Sequence, residues 1–157
     1  MPRVHFVKKA RKDNPACKAG ESYFWWKFRF GGKQFSKTRP RRSQLTQSGF
    51  LSQLYEIEDA LSGYAWDGDP EAFTQEMSSQ LEDLKCECED SLQNMPEHLQ
   101  ESSSSGELLQ ERIDGLDEMI QELEAIDTEI DSDLSEEKKE DRQADIAIDI
   151  SNISANF

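Results

Sequence analysis

The sequence predicts an α+β protein: a small N-terminal antiparallel β-hairpin or three-stranded sheet, followed by a mainly helical acidic body containing an antiparallel helical hairpin. Three observations predict it. Strand-forming residues flank a Gly-Gly pair between Tyr23 and Thr38. Apolar residues recur every three to four positions from Phe50 to Leu134. Charge is split along the chain: residues 1–42 hold 13 of the 18 Lys and Arg against only Asp13 and Glu21, a net of +11. Residues 43–157 hold 5 bases against 31 acids, a net of −26, and the whole chain carries −15.

Composition narrows the classes. The chain has 157 residues, 35% hydrophobic and 32% charged, with a mean hydropathy of −0.83. That length fits one domain or two small ones, and so few apolar residues build a modest core, so a large enzyme fold is not expected. No run approaches the roughly 18 apolar residues of a membrane span, and Met1 to Lys9 lacks the apolar stretch of a secretory signal. A cytoplasm, the producing cell's or a host's, is the expected location. Cys17, Cys86 and Cys88 are an odd set, unsuited to a disulfide framework and at home in a reducing compartment.

Residues 1–42 are expected to form a basic aromatic β head. Tyr23 to Phe30 reads as a strand, Gly31-Gly32 as a two-residue turn and Lys33 to Thr38 as the return strand. With that turn Phe30 faces Lys33, Phe28 faces Phe35 and Trp26 faces Lys37. The period of two then places Phe24, Trp26, Phe28, Phe30 and Phe35 inside, and Tyr23, Trp25, Lys27 and Arg29 outside. An isolated hairpin is marginal, so Arg3 to Val7 is expected to add a third strand.

Residues 43–66 read as a connecting helix and turn. Phe50, Leu54, Ile57 and Leu61 form its stripe, Ser48 is the expected cap, Gly63 stops it, and Tyr64-Ala65-Trp66-Asp67-Gly68 is expected to make a turn. Residues 67–134 read as the acidic helical hairpin. Asp69-Pro70 supplies a capping carboxylate with proline at the first helical position, where its missing N–H costs nothing. One arm carries Phe73, Met77, Leu81, Leu84, Cys88, Leu92, Met95 and Leu99, interrupted at Pro96. The other carries Leu109, Ile113, Leu116, Ile120, Leu123, Ile126 or Asp127, Ile130 and Leu134 near the heptad interval. The small polar link Glu101 to Gly106 makes the arms antiparallel neighbours. Residues 135–157 form an acidic tail in which helix is favoured over strand, although Ile146, Ile148 and Ile150 also fit strand alternation.

The chemistry-bearing residues assemble no catalytic constellation. His5 and His98 lie in different segments without an arranged nucleophile, and neither phosphate-binding glycine motif occurs. A zinc site from Cys86, Cys88, Cys17 and a histidine is disfavoured, because Cys-x-Cys falls on a helix and Cys88 reads as core. Asp127, Glu129, Asp131 and Asp133 alternate like a calcium loop, but Ser132 and Lys138 stand where that loop needs glycine and a bidentate acid. No cofactor, metal or enzymatic activity is expected.

What remains is the head. Tyr23, Trp25, Lys27, Arg29, Lys33, Lys37, Arg39, Arg41 and Arg42 are the candidate nucleic-acid-binding residues, with Lys8, Lys9, Arg11 and Lys12 extending them. Cations neutralise phosphates and release counterions, while exposed rings stack on bases. The plainer alternative packs Tyr23 and Trp25 under the acidic helices, leaving the bases to balance the body.

Trp26-Lys27-Phe28-Arg29-Phe30-Gly31-Gly32-Lys33 looks like the hairpin of the sheet-plus-helix arm-binding domains of tyrosine recombinases. No catalytic domain follows it, so only a DNA-binding mode is implied. Two further blocks, Ala10 to Pro15 through Ser43 to Ser48 and Asn94 to Gln100 through Leu108 to Arg112, resemble a family of small uncharacterised proteins of tailed bacteriophages and prophages. That resemblance implies a phage origin and a host cytoplasm, and carries no activity or site residues. The expected partners are DNA or RNA, or a host nucleic-acid-binding protein, together with self-association through the coiled coil. The competing expectations are an acidic nucleic-acid mimic that inhibits a host nuclease or defence complex, and a virion or assembly component.

Overall fold

The structure, a computed structural model, describes residues 1–66 and 68–155. A three-stranded antiparallel sheet, β1 (His5–Val7), β2 (Tyr23–Lys27) and β3 (Lys33–Ser36), lies in the order β1-β2-β3. A single 3₁₀ turn (Ser43–Leu45) leads to α1 (Gly49–Ser62), α2 (Pro70–Gln93), α3 (Glu97–Gln100), α4 (Ser104–Ala125) and α5 (Glu136–Asn152). Of the described residues 55% are helical. Its contacts divide it into two compact units, Met1–Glu56 and Ile57–Phe157. The division falls within α1, and it sorts charge: the first unit has 13 bases against 3 acids, a net of +10, leaving −25 for the second.

In the first unit β1 is the expected third strand, pairing His5 with Trp25, Phe6 with Phe24 and Val7 with Tyr23. Ladder-like bonds continue past it, with Ala10 N–H donating to the Glu21 carbonyl and Gly20 N–H to the Ala10 carbonyl, where Gly20 takes a φ of +97°. The connecting loop is tied by Asn14, whose side-chain oxygen accepts from the amides of Ala16 and Cys17.

The β2–β3 hairpin corrects the expected register. Trp25 faces Phe35, Trp26 faces Gln34 and Lys27 faces Lys33, so the loop is the five residues 28–32. A type I′ turn needs positive φ at both central residues, yet only Gly31 of the glycine pair has one, at +152°. Gln47 Nε2 donates to the Phe30 carbonyl at 2.8 Å and holds the longer loop from outside the hairpin. The pairing moves by an odd number of residues, so Phe35 changes face and joins Trp25, and Phe30 leaves the core for solvent at 77% exposure.

Residues 43–56 fold with the sheet. Ser43 is buried and its carbonyl accepts from Ser52 Oγ, and the Arg42 guanidinium sits 4.1 Å over the Tyr55 ring. Ser48 Oγ caps α1 by accepting from Leu51 N–H, as its position predicts. Ala10, Cys17, Trp26 and Leu54 are buried here. The Trp26 indole N–H is buried with no hydrogen-bond partner among the described residues. An unpartnered buried donor costs about 1–3 kcal/mol. Trp26→Phe removes that donor along with some packing, so its thermal unfolding should show a loss below about 2 kcal/mol, against the ~3–5 kcal/mol usual for deleting a buried tryptophan to alanine.

In the second unit α2 and α4 pair as the antiparallel hairpin. Asp69 caps α2, its carboxylate accepting from Ala72 N–H ahead of Pro70 at the first position. The seam is as spaced in the sequence: Met77, Leu81, Leu84 and Cys88 face inward from α2, and Ile113, Leu116, Ile120 and Leu123 from α4, with Met119 beside them. Burial pushes the Cys88 thiol pKa up, as expected for a core cysteine, whereas Cys86 is exposed. At the elbow a Cβ on Gly106 would collide with the Gln100 carbonyl, so α4 enters its turn only with glycine there.

Two expectations about the helices change. Helix α4 stops at Ala125 instead of running on to Leu134. The repeated acids 127, 129, 131 and 133 place like charges four apart in any helix. Asp127 and Asp131 instead accept from the amides two residues on, at Glu129 and Asp133. The first arm ends earlier too, at Gln93, so Met95 and Leu99 lie beyond α2. The tail helix forms: Ile146, Ile150 and Ile153 are buried while Ile148 is 54% exposed, which is helical and not strand spacing. The turn expected at 64–68 includes Asp67, and the tail ends in residues 156–157, all three outside the described residues.

Lys85 and Asp117 join α2 to α4 by an ion pair. The hydrogen bond from Lys85 holds the Asp117 carboxyl below its usual range, and that same bond raises the Lys85 pKa. A depressed carboxylate stabilises above its unfolded pKa and loses that contribution as pH falls through the folded value. A raised lysine stabilises below its unfolded pKa and loses it as pH rises through the folded value. The pair therefore acts between about pH 4 and pH 10. Urea unfolding across pH should show the deficit of Asp117→Asn at neutrality shrinking below about pH 4, with a small deficit throughout because both groups reach solvent.

Candidate nucleic-acid interface

The site is built on one face of the sheet in the Met1–Glu56 unit. Alternation along β2 puts Tyr23, Trp25 and Lys27 on that face, and the pairings add His5 from β1 and Lys33 and Phe35 from β3. Trp25 is its centre. The His5 ring stacks on it, with centroids 4.3 Å apart and planes inclined by 10°. From the opposite strand Lys33 Nζ lies 4.6 Å from its ring centroid, a cation–π contact. Tyr23 and Phe35 are tilted against one another at 6.1 Å. Tyr23, Trp25 and Phe35 are half-buried, which keeps the rings oriented while leaving part of each at the surface; Lys27 and Lys33 are exposed.

Lys27 and Lys33 are direct cross-strand partners on this face. Like charges placed opposite one another repel and weaken the sheet, and an anion bound between them removes that cost. Among the described residues neither lysine makes an ion pair.

The other candidates separate from this strip. Arg29 lies in the hairpin loop with its guanidinium 5.4 Å from the centroid of exposed Phe30. Lys37 follows β3 and pairs with Glu21 at 3.4 Å, which reduces the charge it offers. The Lys18 backbone N–H, then Lys37, hold the Glu21 carboxyl below its ordinary pKa. Arg39 and Arg41 are exposed in the irregular segment after β3, and Arg42 covers Tyr55. The sheet thus brings together Tyr23, Trp25, Lys27 and Lys33, and leaves Arg29, Lys37, Arg39, Arg41 and Arg42 around other supports.

Sequence reasoning missed His5 and Phe35 as members of this face. Both follow from register: once Lys27 faces Lys33, parity alone assigns Phe35, and pairing of β1 assigns His5.

Of metal chemistry, no group of three or more His, Cys, Asp or Glu among the described residues is placed to hold an ion. None of the described helices is long and apolar enough to cross a membrane. No protein-family model, curated protein or solved structure matches the chain.

Proposed function

We propose that this is a non-enzymatic nucleic-acid-binding or regulatory protein. It contacts DNA or RNA through the basic aromatic face of its N-terminal sheet, and its acidic helical unit serves self-association or partner binding. A phage origin and action in a host cytoplasm belong to the same reading, on the resemblance above. The observation that carries it is the strip in which the His5 ring stacks on Trp25 beside two opposed, solvent-facing lysines, Lys27 and Lys33, the latter over the Trp25 ring. Such a surface matches a polyanion that also presents flat rings. The test is binding of single- and double-stranded DNA and RNA by the full chain across a salt series. Affinity should fall steeply with salt; an absence of salt-sensitive binding to all four rejects the reading.

A second reading is favoured by the acidic unit itself. Glu76, Glu82, Asp83, Glu87 and Asp90 are exposed along α2, whose one base, Lys85, is paired to Asp117. In that reading the carboxylates imitate a phosphate array and occupy the groove of a host nucleic-acid-binding protein. It requires capture of such a protein from host lysate and loss of the complex when the α2 acids are reversed to lysine. The sequence-based alternative of a virion or assembly component predicts instead that the chain is found in purified particles.

A further inference from the structure

A groove of about 570 Å³ opens within the Met1–Glu56 unit between the hairpin loop and the start of α1. Phe28, Leu45, Leu51 and Tyr55 give it an apolar and aromatic lining, while Lys27 and Arg29 stand exposed at its edge. Its volume lies in the range of small-molecule clefts, about 300–1,000 Å³. None of the described residues lining it is acidic. Two contacts hold its shape: Gln47 Nε2 ties the Phe30 carbonyl to the segment ahead of α1, and Arg42 braces the Tyr55 ring at 4.1 Å.

We propose that this groove receives one unstacked base of a single-stranded nucleic acid, the neighbouring phosphates lying on Lys27 and Arg29. The proposal rests on the nucleic-acid reading above and adds the strand form it recognises. A base has two flat π faces suited to Phe28 and Tyr55, and each nucleotide carries an anion at a short fixed distance from that ring. A duplex keeps its bases stacked inside and offers a concave aromatic groove nothing but phosphate. Lys27 links the two surfaces, since it belongs to the groove's edge and to the Trp25 face, so a single strand can run from one to the other. With Lys27 and Arg29 at its edge and no acidic residue in its described lining, the groove repels a cationic occupant such as a basic peptide.

The experiment uses the full chain with 5-iodouracil-substituted DNA and RNA single strands of about 15 nucleotides and with a matched duplex. Expected are tighter binding of single strands than of the duplex, and photo-crosslinks that peptide mapping places on Phe28 or Tyr55. Phe28→Ala, which removes a stacking ring, and Thr46→Trp, which fills the groove, should each weaken single-strand binding at least about fivefold while leaving duplex binding and its salt dependence unchanged. The DNA and RNA arms identify the preferred sugar. Crosslinks confined to Trp25 and Tyr23, or equal losses on single strand and duplex, overturn the groove proposal and leave the nucleic-acid reading standing. Absence of salt-dependent binding to every probe removes both. If a variant does not fold, the crosslink on the unaltered chain decides alone.

Discussion

Leu116→Ala should destabilise the acidic helical unit by about 2–5 kcal/mol, read as a shift in the urea midpoint with little change in slope. Leu116 is fully buried on α4, in the seam to which α2 contributes the buried Leu81 and Leu84 and α4 the buried Met119, Ile120 and Leu123. Removing its isobutyl group loses the transfer free energy of the side chain and leaves a cavity that two paired helices close only partly. The loss should be unusually consequential here. This unit carries a net −25, and the self-repulsion of that charge leaves packing as its main source of stability. Added salt should raise the stability of parent and variant alike by screening that repulsion, leaving the packing deficit between them unchanged. Exposed Ile148 on α5 supplies the contrast: Ile148→Ser should change stability by less than about 0.5 kcal/mol.

The second large effect is on binding. Lys27→Gln combined with Lys33→Gln should flatten the dependence of log K on log salt by about 1.4 on single strands and about 1.8 on duplex, two phosphate contacts' worth. Six to ten such contacts correspond to a loss of about 10³–10⁵ in affinity between 50 and 200 mM salt, so two of them are a substantial share. The same double variant should melt close to the parent, because relieving repulsion of about 0.2–1 kcal/mol between opposed like charges offsets loss of the Lys33–Trp25 cation–π contact, about 0.5–1 kcal/mol at an exposed site. Weaker binding in a protein of nearly unchanged stability separates a contact surface from a structural role. A salt slope left unchanged would assign those lysines to solvation alone.

Much of the fold was legible because it is written in short-range patterns. The α2–α4 seam follows from three-to-four spacing, the Asp69-Pro70 start from cap chemistry, and β1 from the need of a hairpin for a third strand. The failures share a cause. Gly31-Gly32 satisfied the local rule for a tight turn, but Gln47, seventeen residues downstream of Phe30, holds a wider loop, and that contact has no local signature. The slip then carried Phe35 to the other face, since parity propagates along a strand, and left Phe30 in the wider loop, exposed to water. Helix α4 was read too long because the apolar residues from Ile126 to Leu134 kept the helical interval, while Asp127 and Asp131 close turns onto the amides of Glu129 and Asp133. Of the candidate site, the residue types were visible in the composition of the head. Their grouping was not, because it depends on strand pairing that brings His5 and Lys33 to Trp25 from opposite sides in sequence.

The central claim is that polyanion contact takes place on the Trp25 face of the sheet. Its most direct measurement is a titration of isotope-labelled full-length protein with a single-stranded oligonucleotide, followed by two-dimensional nitrogen–proton NMR. The account predicts that the Trp25 indole N–H and the amides of Lys27 and Lys33 shift first and saturate together, while those of α2 and α4 stay in place. Unmoved resonances from Tyr23 to Lys33, or shifts restricted to the acidic helices, contradict it.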